Sequence, residues 1–339
     1  MNIGIIGAGY WGKNLIRTFQ ALGSLCTVKY IADTSPEVIL DLSRQFPHTT
    51  ITDDYHTILH DIEVKAVVIS TPAVTHYEIA KEALLHGKHV FVEKPMTLHT
   101  EESLELVKIS EEKNRKLMVG HLLLYHPCIT AIKKSILDGE IGDVYYLYSQ
   151  RLNLGKVRRD ENALLSFGPH DISVALYLLG EVPVSVNVYG QSYLQDGIED
   201  VVFLTLHFPD RIIANIQLSW LDPHKIRRVT VVGSKKMIFF DDMEPQEKVK
   251  IYDKGVNRSS EYSSYGEFLS LRDGDINIPG IKMAEPLKLE CAHFIECIEK
   301  DFTPLSDGRN GLMVTRVLSA SQESLKSGGV SKLIEQSLR

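Results

Sequence analysis

A chain of 339 residues exceeds what one hydrophobic core comfortably serves, so two domains are expected. With 44% apolar and 24% charged residues, its composition is that of an ordinary globular protein and excludes a disordered or fibrous one. A formal charge of −7 opposes binding to nucleic acid or to an anionic membrane, although a local basic patch could still serve a small anionic ligand.

The opening residues lack the basic, apolar and cleavage regions of a signal peptide. No apolar run reaches the ~18–20 residues of a bilayer span. Cys26, Cys128, Cys291 and Cys297 are scattered, with no CxxC pair, as reduced thiols of a cytoplasmic protein would be.

In chain order, residues 3–6, 28–31, 66–69, 89–92 and 117–119 are short, largely apolar runs. Between them Leu15, Phe19 and Leu22, then Val38, Ile39 and Leu42, then Ile79, Ala80, Ala83 and Leu84, and finally Leu104, Val107 and Ile109 recur at helical spacing. Strands of this kind are buried on both faces, so residues 1–123 are expected to form an α/β Rossmann domain with a parallel sheet. The pattern changes over residues 124–339. A helix is expected at 127–137, a strand at 144–153, and a helix at 172–179 ending at Gly180. Strands then follow at 184–193, 201–208, 212–220, 227–232 and 236–240 with no helix between them. Ile212, Ala214, Ile216 and Leu218 alternate with Asn215 and Gln217, the period of a strand with two unlike faces. This predicts an α+β domain with an open, mainly antiparallel sheet. Residues 253–280, rich in Ser, Gly and Asp, read as an irregular loop, and helices are expected at 285–299 and 308–325.

Gly7-Ala8-Gly9-Tyr10-Trp11-Gly12 is a GxGxxG that follows a strand and opens a helix, the context in which the pattern binds a dinucleotide. Gly7 permits the tight turn, Gly9 the approach of a pyrophosphate, and Gly12 close packing of helix on strand. Asp33 ends the second strand, about 20 residues on, where a carboxylate binds ribose hydroxyls and repels a 2′-phosphate. No arginine stands beside it, so NAD is expected over NADP. Ser70-Thr71-Pro72-Ala73-Val74-Thr75-His76 and Glu93-Lys94-Pro95 follow the next two strands, at the carboxyl edge where open α/β sheets bind ligands. His56 and His60 stand four apart but lack a third ligand, so no metal site is expected.

Together with Gly168-Pro169-His170-Asp171, these motifs resemble the glucose-fructose oxidoreductase / inositol dehydrogenase / rhizopine catabolism (Gfo/Idh/MocA) family over essentially the whole chain. The resemblance implies a sugar oxidoreductase whose cofactor contacts come from Gly7, Gly9, Tyr10, Trp11, Gly12, Asp33, Ser70, Thr71, Pro72, His76, Glu93 and Lys94. It implies catalytic roles for Lys94, beside the reacting hydroxyl, and for His170, at a helix start in the second domain. Removing hydride from a carbinol requires both a base and a stabiliser of the developing alkoxide, and imidazole and ammonium suit those tasks. Many members flank the histidine with aspartates where this chain has Ser166 and Ser173; whether Asp171 orients His170 stays open.

The segments 120–127 and 151–159, with the Tyr10-Trp11 pair, look like bacterial nucleotide-sugar dehydrogenases, nearest the UDP-N-acetylglucosaminuronate 3-dehydrogenases of surface-polysaccharide pathways. Arg158 and Arg159 would then hold an anionic substrate bidentately, with Lys94, Tyr125, His170 and Asp171 also lining its site. Arg158 and Arg159 could equally form a solvated loop with Asp160 and Glu161, and Tyr125 could equally be core. The rivals are an inositol or free-sugar dehydrogenase of the same scaffold and a non-catalytic NAD-binding regulator. The family also implies a homodimer or homotetramer formed through the open sheet.

Overall fold

A computed structural model describes residues 1–155, 157–159, 161–258 and 269–336. The chain divides into two compact units, one of residues 1–125 with 284–316, the other of residues 126–283 with 317–336. The return of 284–316 to the first unit differs from the division expected at 123/124. The physical reason is that helical periodicity reveals a buried stripe but not which sheet it covers.

In the first unit six strands pair in parallel: β1 (Asn2–Ile6), β2 (Thr27–Ala32), β3 (Thr50–Thr52), β4 (Val64–Ile69), β5 (His89–Glu93) and β6 (Leu117–Gly120). Their order, β3-β2-β1-β4-β5-β6, is that of a dinucleotide-binding sheet. The helices are α1 (Gly12–Ala21), α2 (Pro36–Gln45), α3 (His56–His60), α4 (His76–Leu85) and α5 (Thr100–Glu112). Strand β3 was not expected, since three residues with two threonines leave no apolar run to detect, whereas α3 carries His56 and His60 as a surface helical pair. The core joins Ile6, Val67, Ile69, Val90 and Val92 of the strands to Ile79, Ala83, Leu106 and Val107 of the helices. Phe91 meets both Phe19, at 6.2 Å between centroids, and Phe294, at 5.7 Å.

The second unit carries α6 (Pro127–Leu137), β7 (Val144–Leu152), α7 (Ala163–Leu179), β8 (Ser185–Gln191), β9 (Val201–His207), β10 (Ile213–Ser219), β11 (Ile226–Gly233) and β12 (Met237–Asp241). Two further strands, β13 (Val249–Arg258) and β14 (Leu269–Asn277), occupy most of the stretch expected to be irregular; residues 259–268 lie outside the described residues. These two sit at one edge of the sheet, where Val256 and Leu271 stay exposed, so no buried face imposed an apolar period. Ion pairs link them instead, Lys254 to Asp273 at 2.9 Å and Arg272 to Asp253 at 3.1 Å.

The nine-stranded sheet is antiparallel except for β7 beside β10. Ser149, Ala214, Ile216 and Leu218 share its buried face with Leu147, and α7 packs there. Tyr146, Tyr148, Tyr189, Phe203 and Ile213 remain exposed on the other. The closing helices are α8 (Pro286–Glu299) and α9 (Gly308–Lys326), followed by the short strand β15 (Lys332–Leu333). No helix among the described residues is long and apolar enough to cross a membrane.

Candidate active site

Gly7 turns out of β1 with a φ of +93°, and a Cβ there would stand 2.8 Å from the backbone of Ser70 and Thr71. A Cβ on Gly12 would come within 2.3 Å of the Gly7 carbonyl oxygen, so the opening of α1 can press on the turn only without one. Gly9 has nothing within 4 Å of the place its Cβ would take. The middle glycine therefore faces open space, as a backbone that admits a pyrophosphate must. Asp33 fixes the loop from below: its Oδ2 accepts from the Ala8 N–H at 2.7 Å and its Oδ1 from Ser35 N–H at 2.9 Å. Each oxygen keeps a lone pair for ribose hydroxyls. The Ser70 hydroxyl donates to the Gly7 carbonyl at 2.8 Å, joining the end of β1 to that of β4. These residues fit a dinucleotide.

Tyr10 is almost fully exposed, and Trp11 turns inward enough for its indole N–H to donate to Glu93 Oε1 at 2.5 Å. Glu93 Oε2 accepts from the Lys94 N–H at 3.2 Å. A Cβ on Gly120 would stand 2.9 Å from Glu93 Oε1, so that glycine makes the room for the carboxyl. Burial lifts the Glu93 carboxyl to about 7, against the pull of the Trp11 bond and the charge of Lys94. His121, buried after β6, is pushed down to about 3 by burial and then by Lys94. Its Nδ1 has no hydrogen-bond partner. Glu290 of α8 is also fully buried with neither oxygen bonded, and burial, followed by Glu93, holds its carboxyl well above the ordinary range. Neither group was anticipated. The stripe Leu287, Glu290, Cys291, Phe294 at i, i+3, i+4, i+7 was the signal available for Glu290.

Several expected ligand contacts are corrected. His76 is buried, with Nδ1 2.8 Å from the Pro95 carbonyl oxygen and Nε2 2.9 Å from that of Thr71, leaving no ring nitrogen for a cofactor. Tyr125 is buried too; its hydroxyl bonds Ser306 Oγ at 2.9 Å and its ring meets His293, so it is core and not pocket lining.

In the second unit, α7 begins at Ala163, nine residues before the helix expected at 172–179. The Asn162 side chain caps it by accepting from Leu165 N–H at 3.0 Å, and Pro169 lies inside the helix. His170 therefore stands along the helix, not at its start. Asp171 is buried and bonded by Arg151 Nε, which removes it from substrate contact. Arg227 lies directly across from Arg151 on paired strands, a position sequence reading missed because pairing partners are distant in the chain. It donates to the carbonyls of Leu152 and Ile226 and to Asn153 Oδ1, and lies 5.7 Å over the Phe167 ring. Burial, then the charge of Arg151, pulls it down to about 10. Arg159 is exposed and Arg158 half-buried, the latter pairing loosely with Glu161 at 3.5 Å. Lys156 and Asp160 lie outside the described residues. His56 bonds Asp54 at 2.6 Å, and no metal-binding cluster occurs among the described residues.

Residues 1–121 match the model of the Gfo/Idh/MocA oxidoreductase family with its NAD-binding Rossmann fold, and residues 129–239 match the model of that family's C-terminal domain. The chain belongs to the Gfo/Idh/MocA family. It is an NAD-dependent oxidoreductase. It is 29% identical to UDP-N-acetylglucosamine 3-dehydrogenase of Acidithiobacillus ferrooxidans, over 76% of this chain and 78% of that one. It is 25% identical to scyllo-inositol 2-dehydrogenase (NAD(+)) of Bacillus subtilis, over 96% and 94%. The solved structure of the Acidithiobacillus ferrooxidans enzyme superposes with a TM-score of 0.82 at 23% identity, covering 97% of this chain and 98% of that chain, and so shares the fold.

Proposed function

We propose that this enzyme oxidises a secondary alcohol on a nucleotide-linked sugar, of the class of UDP-N-acetylglucosaminuronate. NAD, when bound, supplies the hydride acceptor. The loop Gly7–Gly12 and Asp33 hold it, with Ser70, Thr71 and Pro72 beside the loop. Lys94 sets a positive charge against the alkoxide that develops on the sugar oxygen, and Glu93 anchors the Lys94 backbone. His170 takes the hydroxyl proton. Arg158 and Arg159 bind the substrate's anionic groups; Arg159 is exposed, and the loose ion pair of half-buried Arg158 with Glu161 is worth little.

The observation that carries the reading is Lys94 itself. It follows directly on the carboxyl edge of β5, and the residue before it is hydrogen-bonded to the nucleotide loop through Trp11. The relative that acts on UDP-N-acetylglucosamine supports the sugar class. The aromatic residues exposed on the open sheet face, Tyr146, Tyr148 and Phe203, support a homodimer or homotetramer, which light scattering would measure.

The test is NADH formation with purified enzyme, NAD and a panel of UDP-N-acetylglucosaminuronate, UDP-N-acetylglucosamine, scyllo-inositol and glucose. Turnover of the uronate, competitively inhibited by UDP, is expected. Turnover of inositol or glucose alone, with no effect of UDP, would replace this substrate by a free polyol.

A further inference from the structure

The parallel ladder between β4 and β5 stops at the pair Ile69–Val92. Beyond it the two strand ends run on as separate loops, one carrying Thr71 and the other Lys94 and Pro95. His76, the first residue of α4, sits between them with 1% of its surface exposed. Its two nitrogens face one carbonyl from each loop, Pro95 O at 2.8 Å and Thr71 O at 2.9 Å. A side chain thus supplies the rung that the backbone no longer makes.

We infer that His76 is a positioning residue: through Nδ1 it fixes the loop that carries Lys94, and through Nε2 the loop that borders the nucleotide site. This rests on the role given to Lys94 above. A carbonyl oxygen only accepts, so two full bonds would require a doubly protonated ring. Burial and the nearby charge of Lys94 favour the neutral ring, with one proton to share between two oxygens. The two distances are alike, so each neutral tautomer bonds one of the two carbonyls and the proton is shared between them. The imidazole thus sets the height of the ammonium that meets the substrate through one nitrogen and steadies the Thr71 loop through the other.

Asparagine and glutamine separate the two contacts, because their amide nitrogens reach the places of Nδ1 and Nε2 respectively. His76→Asn keeps a donor for Pro95 and loses Thr71. It should hold kcat for UDP-N-acetylglucosaminuronate within about threefold of the native value, since Lys94 is not displaced. Its Kd for NADH should weaken about fivefold, the worth of one hydrogen bond. His76→Gln keeps Thr71 and loses Pro95. It should leave the NADH Kd near native while kcat falls by about tenfold or more. Hydrogen exchange should accelerate over residues 93–97 in His76→Gln and over residues 70–75 in His76→Asn.

A histidine that only fills space would shift kcat, Kd and exchange in parallel in both variants, and that outcome overturns the inference. Lys94→Met separates the inference from the assignment on which it rests. If that variant keeps full turnover, Lys94 is not the stabiliser, yet the crossed exchange pattern still decides what His76 holds. If the uronate is not a substrate, the rate of Lys94 acetylation by acetic anhydride replaces kcat. It should change in His76→Gln and stay native in His76→Asn; equal rates in the two variants reject the clamp.

Discussion

Trp11 and Glu93, 82 residues apart, meet at 2.5 Å through an indole N–H and a carboxyl oxygen. The bond joins the residue that caps α1 to the residue before Lys94. It also opposes burial in setting the Glu93 carboxyl, which stands at about 7. One contact thus ties the geometry of the glycine loop to the charge beside the proposed catalytic amine.

Trp11→Phe removes the donor and keeps a ring. The Glu93 carboxyl should then rise above about 7, because the interaction that favours its charged form is gone. A carboxyl raised in the folded state gives its full stability below the ordinary value of 4.5 and loses it as pH climbs through the folded value. At about pH 6 both proteins hold the group protonated and should melt alike. At about pH 8 the variant should be less stable by ~1–2 kcal/mol, the worth of a hydrogen bond to a charged group. Urea unfolding at the two pH values measures the difference; an equal deficit at both would mean that the indole serves packing alone.

Gly9→Ala tests the open space in the nucleotide loop. Nothing lies within 4 Å of the added Cβ, so the melting temperature should stay within about 1–2 °C of native. NADH binding, followed by fluorescence, should weaken by about tenfold or more, because the methyl occupies the approach of the pyrophosphate. Gly12→Ala should instead lose stability, since its Cβ would collide with the Gly7 carbonyl oxygen at 2.3 Å.

The strands of the first sheet could be read directly from the chain because burial on both faces leaves a continuous apolar run, as in Val67, Val68 and Ile69. The glycine loop and Asp33 were legible because their chemistry is local. What stayed hidden depends on partners far along the chain. Tyr125 looked like a pocket residue until Ser306 was found on its hydroxyl. His76 looked like a cofactor ligand, yet the Pro95 carbonyl that occupies it lies 19 residues on. His170 was expected at a helix start, but Asn162 caps the helix eight residues earlier. The edge strands β13 and β14 bury too little to carry a pattern. Arg227 came to notice only when strand register set it opposite Arg151.

That register makes Asp171 decisive for the second unit. Arg151 and Arg227 face one another across paired strands, like charges in a position where repulsion is strong. Asp171 is the carboxylate that bonds Arg151, and it also steadies Arg227. Asp171→Asn leaves two partly buried guanidiniums without it and should cost about 3–5 kcal/mol. Adding Arg151→Met should recover much of that loss, because the apolar stem still packs and the surplus charge is gone. Urea melts of the single and double variants provide the comparison; additive losses would mean that the pair is not coupled.

Glu290 offers the clearest dependence on pH. Its side chain is fully buried with no hydrogen-bond partner for either oxygen among the described residues, and burial raises its carboxyl well above the usual range. The unfolded chain releases that proton near 4.5, the folded chain does not, so stability must fall as pH rises above that value. Glu290→Gln keeps the shape and has no proton to retain. It should melt at nearly the native temperature at about pH 4.5 and several degrees higher at about pH 8, with the gap widening steadily between. A glutamine variant that is less stable at every pH would mean that the carboxyl is ionised in the fold and held by a cation. A constant gap would mean that the gain comes from packing. Only a difference that grows with pH follows from a neutral acid sealed beneath α8.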